Sequence, residues 1–326
     1  MMRRITWRHR VEYLPARLLI GALARLPATW ADAVAGALGR FVFAVLRIRR
    51  GVVLSQIAAA YPEADRVWVR RTARAAYVHF AREMVAVAAF ARTWPEGLRA
   101  AVEPRGLEAL REAARAGGAL IVTGHFGNWE LAASALAAFG LEFYGVVQTQ
   151  SNAPVDAWIT RMRERLGIRL IYRGGTAAVA RRILARRGIL GLAADQDARG
   201  RGLFVPFFGR PASTHRGPAA LALAFGAPLF IGALSRRGPG RRYRLEIELV
   251  DRGGAAVGGR ERRSEARVRD LTARWVVRLE RMIRVSPEQY FWHHRRWKSR
   301  PPGTPEPVAG TTPEAEPRPE SEAREA

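Results

Sequence analysis

The heptapeptide Gly124-His125-Phe126-Gly127-Asn128-Trp129-Glu130 holds the residue types that a proton transfer needs. A hydroxyl is a poor nucleophile until a base takes its proton, and His125 is the side chain able to do so near neutral pH. Glu130, five residues on, is placed to reach back and hold the imidazole in one tautomer. The glycines let a ligand approach the backbone, and Asn128 has the chemistry of a helix N-cap. A helix starting there would turn unpaired N–H groups and partial positive charge toward the same spot. There is no cysteine and no Gly-x-Ser-x-Gly elbow, so direct attack by an acceptor fits better than an enzyme nucleophile. His-Glu-x-x-His is absent too, and neither metal nor cofactor is expected.

A second polar cluster follows: Asp195-Gln196-Asp197-Ala198-Arg199-Gly200, then Val205-Pro206-Phe207-Phe208-Gly209, then Ser213-Thr214-His215-Arg216-Gly217-Pro218. It reads as a long functional loop whose aromatic residues argue against disorder. Asp195 can brace His125, position an acceptor sugar, or hold an arginine. Asp197 and Arg216 are further substrate-binding candidates, while Phe207 and Phe208 read as packing. Near the carboxy-terminal end, His293 and His294 have no third ligand at metal spacing; with Arg295, Arg296 and Lys298 they read as a phosphate or headgroup cluster.

These residues need strands and helices to bring them together. Apolar runs and turn signals predict strands over Ala119–Thr123, Glu142–Gln148, Ile168–Tyr172 and Ile189–Ala194. Helices are expected over Gly106–Ala116, Asn128–Phe139, Asn152–Leu166 and Thr176–Arg187. After the loop come a helix over Ala219–Phe225, strands over Pro228–Leu234 and Tyr243–Val250, a Gly-rich turn at Gly253–Gly259 and a helix over Glu265–Arg284. This is α/β alternation, expected to build a mostly parallel open sheet flanked by helices, with its ligand site at the carboxyl ends of the strands. His125 and Asp195 both fall at such ends, so they can converge although far apart in the chain.

Upstream of this alternation the sequence is helical. Residues Met1 to Arg10 are basic and hold Trp7, and Tyr13 to Leu46 is rich in Leu, Ala and Val. Pro15, Arg17, Arg25, Pro27, Asp32 and Arg40 interrupt it, leaving no clean apolar run of about 18 residues. A cleaved signal peptide is not expected; residues 1–50 read as an amphipathic segment associating with an anionic membrane, either lying on its surface or entering it as a tilted helix. The segments Val52–Ala60 and Ala64–Ala91 read as helices. Residues 51–300 form the α/β domain, and the Pro- and Glu-rich stretch 301–326 is expected to be a disordered tail.

The chain carries a net charge of +25, and all but one of its 54 basic residues are arginine, the exception being Lys298. An anionic partner is implied: nucleic acid, an acidic carrier protein or a membrane surface. No nucleic-acid-binding module is recognisable, and no interaction with nucleic acid is expected. A dinucleotide site fails too, because the corner lacks Gly-x-Gly-x-x-Gly and puts His and Trp where a pyrophosphate needs bare backbone.

Taken together, Gly-His-Phe-Gly-Asn-Trp-Glu, the Asp-Gln-Asp and Val-Pro-Phe-Phe-Gly stretches, and Pro287-Glu288-Gln289-Tyr290-Phe291-Trp292-His293-His294-Arg295-Arg296-Trp297-Lys298 resemble the late lipid A acyltransferases of Gram-negative bacteria. The stretch from Arg49-Arg50 to Tyr61-Pro62-Glu63 is similar as well, with Gln56 where the family often has asparagine. The resemblance covers residues 10–302 and implies acyl transfer from an acyl-carrier-protein thioester, or a coenzyme A thioester, to a hydroxyl of a glycolipid. It implies a site at the cytoplasmic face of the inner membrane, with His125 and Glu130 as the catalytic pair. Arg163 matches the family's arginine four residues before Gly167; it or the backbone amides of the corner would receive the oxyanion. Actinobacterial acyltransferases of phosphatidylinositol mannosides are the alternative within this reading.

Overall fold

A computed structural model describes residues 7–172, 176–238, 240–254 and 264–303. The tail beyond residue 303 and most of the Gly253–Gly259 turn therefore lie outside the described residues. Five helices come first: α1 (Trp7–Leu23), α2 (Ala28–Phe41), α3 (Arg50–Ala60), α4 (Arg66–Thr93) and α5 (Glu96–Ala101). The alternation then begins with β1 (Val102–Arg105), α6 (Leu107–Gly117), β2 (Ala119–Thr123), α7 (Trp129–Ala138), β3 (Phe143–Val147), α8 (Ala153–Arg165), β4 (Arg169–Tyr172), α9 (Thr176–Ala185) and β5 (Ile189–Ala193). It ends with β6 (Leu203–Phe207), β7 (Arg210–Thr214), α10 (Gly217–Phe225), β8 (Leu229–Arg236), β9 (Tyr243–Asp251) and α11 (Glu265–Val285).

The main sheet has seven strands in the order β1-β9-β8-β2-β5-β3-β4. Every neighbouring pair is parallel except β8 and β9. Strand β2 is apolar at nearly every position because helices cover both of its faces. Leu120 and Val122 join one core layer and Ile121 the other, as the two-residue period of a strand requires. Strand β2 lies between β5 and β8. The chain winds outward from β2 through β3 and β4, returns to β5, and then crosses to β8, so the crevice at the carboxyl end of β2 stands where the winding reverses.

Two expectations are corrected. The segment read as a long loop contains an antiparallel hairpin, β6 with β7, turning at Phe208 and Gly209, both with positive φ. Pro206 and Pro211 face each other across it and had hidden the strand pattern. The apolar N-terminal segment is also less interrupted than its charges imply. Ala28–Leu46 is a continuous helical run of 19 residues with mean hydropathy 1.4, long and apolar enough by length and composition to cross a membrane. Asp32 does not break it because its carboxylate is turned inward, 2.7 Å from Arg236 and 3.6 Å from Arg241. Helix α2 lies close on α4 at Gly39, where an added Cβ would sit 2.6 Å from the Tyr77 carbonyl.

Candidate active site

Thr123 of β2 pairs with Ala193 of β5. His125 and Asp195, each two residues further, therefore leave adjacent strands at the same height. The imidazole Nδ1 stands 2.6 Å from Asp195 Oδ1, and the His125 amide donates to Asp195 Oδ2 at 2.9 Å. The two contacts fix both the ring and the corner. Asp195 is 2% exposed at its side chain and His125 is 20% exposed, so the carboxylate is sealed while the imidazole opens outward. Nε2, the ring nitrogen not taken by Asp195, has the Gln196 side-chain amide nitrogen as a neighbour at 3.4 Å. A backbone acceptor or carboxylate on Nδ1 leaves Nε2 as the proton acceptor, the arrangement general-base catalysis uses.

The charges agree with that geometry. Burial alone would raise the pKa of Asp195, but the charge of His125, the two hydrogen bonds from it and the charge of Arg296 outweigh burial and hold the carboxyl at about 2. Burial would lower the pKa of His125, yet the charge and hydrogen bond of Asp195, with a contribution from Glu130, raise it above its ordinary value. Tyr290 completes the cluster. Burial, followed by the charge of Asp195, pushes its pKa well above the usual phenol range.

Glu130 is not the partner of the imidazole that its spacing suggested. It lies in the first turn of α7 and faces α8, where Arg163 Nε and Nη2 donate to its two carboxylate oxygens at 2.8 and 2.6 Å. The bidentate pair fixes the guanidinium plane and leaves Arg163 Nη1 uncommitted to Glu130. Of the groups named for Asp195 from sequence, it contacts His125, while Arg163 pairs with Glu130. The corner amides were also candidate oxyanion donors. His125 N–H is taken by Asp195, Gly127 N–H by the Gln289 carbonyl at 2.9 Å and Asn128 N–H by the Leu234 carbonyl at 2.8 Å. Those three amides are engaged within the fold, while Arg163 keeps Nη1 beyond its pair with Glu130. Asn128 caps α7 as expected, its side chain accepting from Leu131 N–H at 3.0 Å while its amide donates to buried Glu83 at 2.7 Å.

In the carboxy-terminal cluster His293, His294 and Arg296 are engaged within the fold, while Arg295 and Lys298 are exposed. Gln289 to Phe291 runs antiparallel against the corner, with Phe126 bridged to Tyr290 and Phe291 N–H bonded to the His125 carbonyl at 2.9 Å. Arg296 is buried and bonded to the Ser213 carbonyl and the Thr214 hydroxyl, with its guanidinium over Phe207, so it locks the hairpin and cannot hold a headgroup. His293 stacks edge-on to Tyr77, and burial followed by the charge of Arg49 takes its pKa to about 4. His294 Nε2 accepts from Asp197 N–H, and the Asp197 carboxylate accepts from Ser299. Of the remaining candidates, Arg216 is the exposed N-cap residue of α10 and Arg295 is exposed beside the hairpin lock. Sequence reasoning missed Gln196 and Tyr290 as site residues. Gln196 was legible as the polar neighbour of Asp195; Tyr290 was not, because only the fold brings it to β5.

An apolar cavity opens beside the Glu130–Arg163 pair. Thr123 and Trp129 line it at the carboxyl ends of the strands, and Leu136, Phe143, Ile168 and Leu170 line it deeper along the sheet. Gly145 of β3 pairs with Gly191 of β5 in its lining, which lets the Phe143 ring lie close against the sheet there. A Cβ at Gly191 would run into the Phe143 ring.

Residues 7–299 match the family described as bacterial lipid A biosynthesis acyltransferase. A lipid A biosynthesis lauroyltransferase of Escherichia coli (strain K12) is 31% identical over 219 residues, covering 65% of this chain and 67% of that protein.

Proposed function

This chain belongs to the bacterial lipid A biosynthesis acyltransferase family, an enzyme of acyl transfer to lipid A, and from that premise we propose how its residues carry the reaction. The acceptor hydroxyl of a lipid A precursor sits at His125 Nε2 and loses its proton as it attacks the thioester carbon of an acyl-carrier protein or coenzyme A donor. Asp195 holds the ring and stabilises the imidazolium that forms. Arg163, aimed by Glu130, donates to the oxyanion; on collapse the carbon–sulfur bond breaks and the imidazolium returns its proton to the leaving thiolate. The acyl chain occupies the cavity over Gly145 and Gly191. The N-terminal segment to residue 50 places this site at the membrane, at its cytoplasmic face, where donor and acceptor meet.

The single observation that carries this reading is the His125–Asp195 contact at 2.6 Å, with Asp195 buried and His125 20% exposed at its side chain. The test is acyl transfer by membranes holding wild type, His125→Ala or Asp195→Asn, with labelled acyl-carrier protein and a lipid A precursor. Transfer is expected to fall by about a hundredfold or more in each variant. Near wild-type transfer by His125→Ala would overturn the mechanism, and a phosphatidylinositol mannoside accepted in place of the lipid A precursor would change the acceptor.

A further inference from the structure

Four arginines converge on a groove that the reaction above leaves unused. Arg71, Arg74 and Arg82 lie along one side of α4, and Arg40 comes from α2; Arg236, Glu288 and His79 close the groove toward the sheet. Arg236 is neutralised internally, with Asp32 at 2.7 Å and Glu83 at 2.5 Å. Arg82 donates to a neutral group, the Asp32 carbonyl, at 3.1 Å. Among the described residues, no ion pair is made by Arg40, Arg71 or Arg74, and Glu288 is the one acid lining the groove. Like charges held in one concavity repel unless an anion joins them. Guanidinium groups arranged around a pocket suit a tetrahedral oxyanion better than scattered point charges do.

The surroundings narrow the class of anion. Arg40 is flanked on α2 by the exposed Leu38 and Phe41, 36% and 47% exposed, and Val67 at the start of α4 is 76% exposed. A charged head beside bare apolar surface describes an amphiphile. We propose that this groove binds the phosphate of an anionic membrane phospholipid, held by Arg40, Arg71 and Arg74, with its acyl chains along the exposed face of α2. The proposal rests on the membrane-facing reading of the N-terminal helices and is independent of the transfer chemistry.

Vesicle binding by the full-length protein tests it, using phosphatidylcholine with and without phosphatidylglycerol. Wild type is expected to bind the anionic vesicles more tightly, and the double variant R71Q/R74Q to lose about thirtyfold of that affinity. The charge-matched control R181Q/R182Q neutralises two exposed arginines on α9 and is expected to change it by less than about threefold. Unchanged melting temperatures in buffer establish that both variants fold. Water-soluble short-chain phosphatidylglycerol should raise the melting temperature of wild type and not of R71Q/R74Q. Equal losses in the two double variants would reduce the effect to diffuse charge and overturn the site. Stabilisation by glucosamine 1-phosphate but not by the short-chain phospholipid would assign the groove to a sugar phosphate and overturn the phospholipid. None of these readouts needs acyl transfer, so failure here is distinguishable from failure of the proposed reaction.

Discussion

Asp195 sets the proton affinity of His125, and this gives the pH dependence a sign. Only neutral imidazole can take a proton, and the carboxylate raises the pKa of His125, so activity should fall as pH drops through that raised value. In Asp195→Asn the charge is gone and burial dominates, which moves the acid limb of the kcat/KM profile to lower pH while the plateau drops. An acid limb unmoved by the substitution would separate Asp195 from the titration. Stability follows the same pair with opposite edges. The contribution of His125 is full below its ordinary value of about 6.5 and fades as pH rises through the raised one; that of Asp195 is full above about 3.8 and fades as pH falls toward about 2. The pair therefore stabilises most between those ordinary values. Glu130 acts on the ring only at a distance, so Glu130→Gln should loosen Arg163 and leave the acid limb nearly in place.

At the scale of the elements, the glycines of β3 and β5 decide how much room lies under α7. A methyl group at residue 191 meets the Phe143 ring, so Gly191→Ala should shorten the acyl chain that the enzyme prefers, read as the product distribution from a mixture of thioesters. An unchanged distribution would move the acyl chain elsewhere. Strand β2 was legible: Ala119–Thr123 is a short apolar run between Gly118 and Gly124, and its structure has the same bounds. The convergence of His125 with Asp195 was legible too, because strands ending at one edge bring their next residues together. What escaped the sequence was the partner of each acid. Spacing puts Glu130 near His125 along the chain, but a first-turn side chain of α7 projects toward α8, and the strand pair supplies Asp195 instead. The cluster from His293 to Arg296 misled for a related reason. Cations together in sequence suggest a surface, whereas here Arg296 turns inward to satisfy the carbonyl of Ser213.

At the scale of the whole molecule, the apolar face of the N-terminal helices has to be reconciled with the charges beside it. Leu18, Trp30, Val45 and Ile48 are each more than half exposed, which favours a lipid surface over water. The helical run Ala28–Leu46 meets the length for a span, yet α2 within it rests on α4. Helix α4 carries Arg70, Arg71, Arg74 and Arg82 alongside α2 and is tied to the corner that holds His125 through Glu83 and Asn128. A bilayer crossed by α2 would have to take in those arginines, at about 2.5 to 3.5 kcal/mol each near its centre. It would also expose the buried Asp32–Arg236 contact to separation from its helix. Lying in the interface avoids both costs: the apolar face enters the acyl region while the arginines stay among the headgroups. The two arrangements differ in where the ends of Ala28–Leu46 are found. Because the chain has no cysteine, Arg25→Cys and Arg47→Cys each introduce a single label site. In inverted membrane vesicles a membrane-impermeant maleimide should modify both at similar rates. Modification of one and protection of the other until the vesicles are opened would mean that α2 crosses, and that α4 must part from it in the membrane.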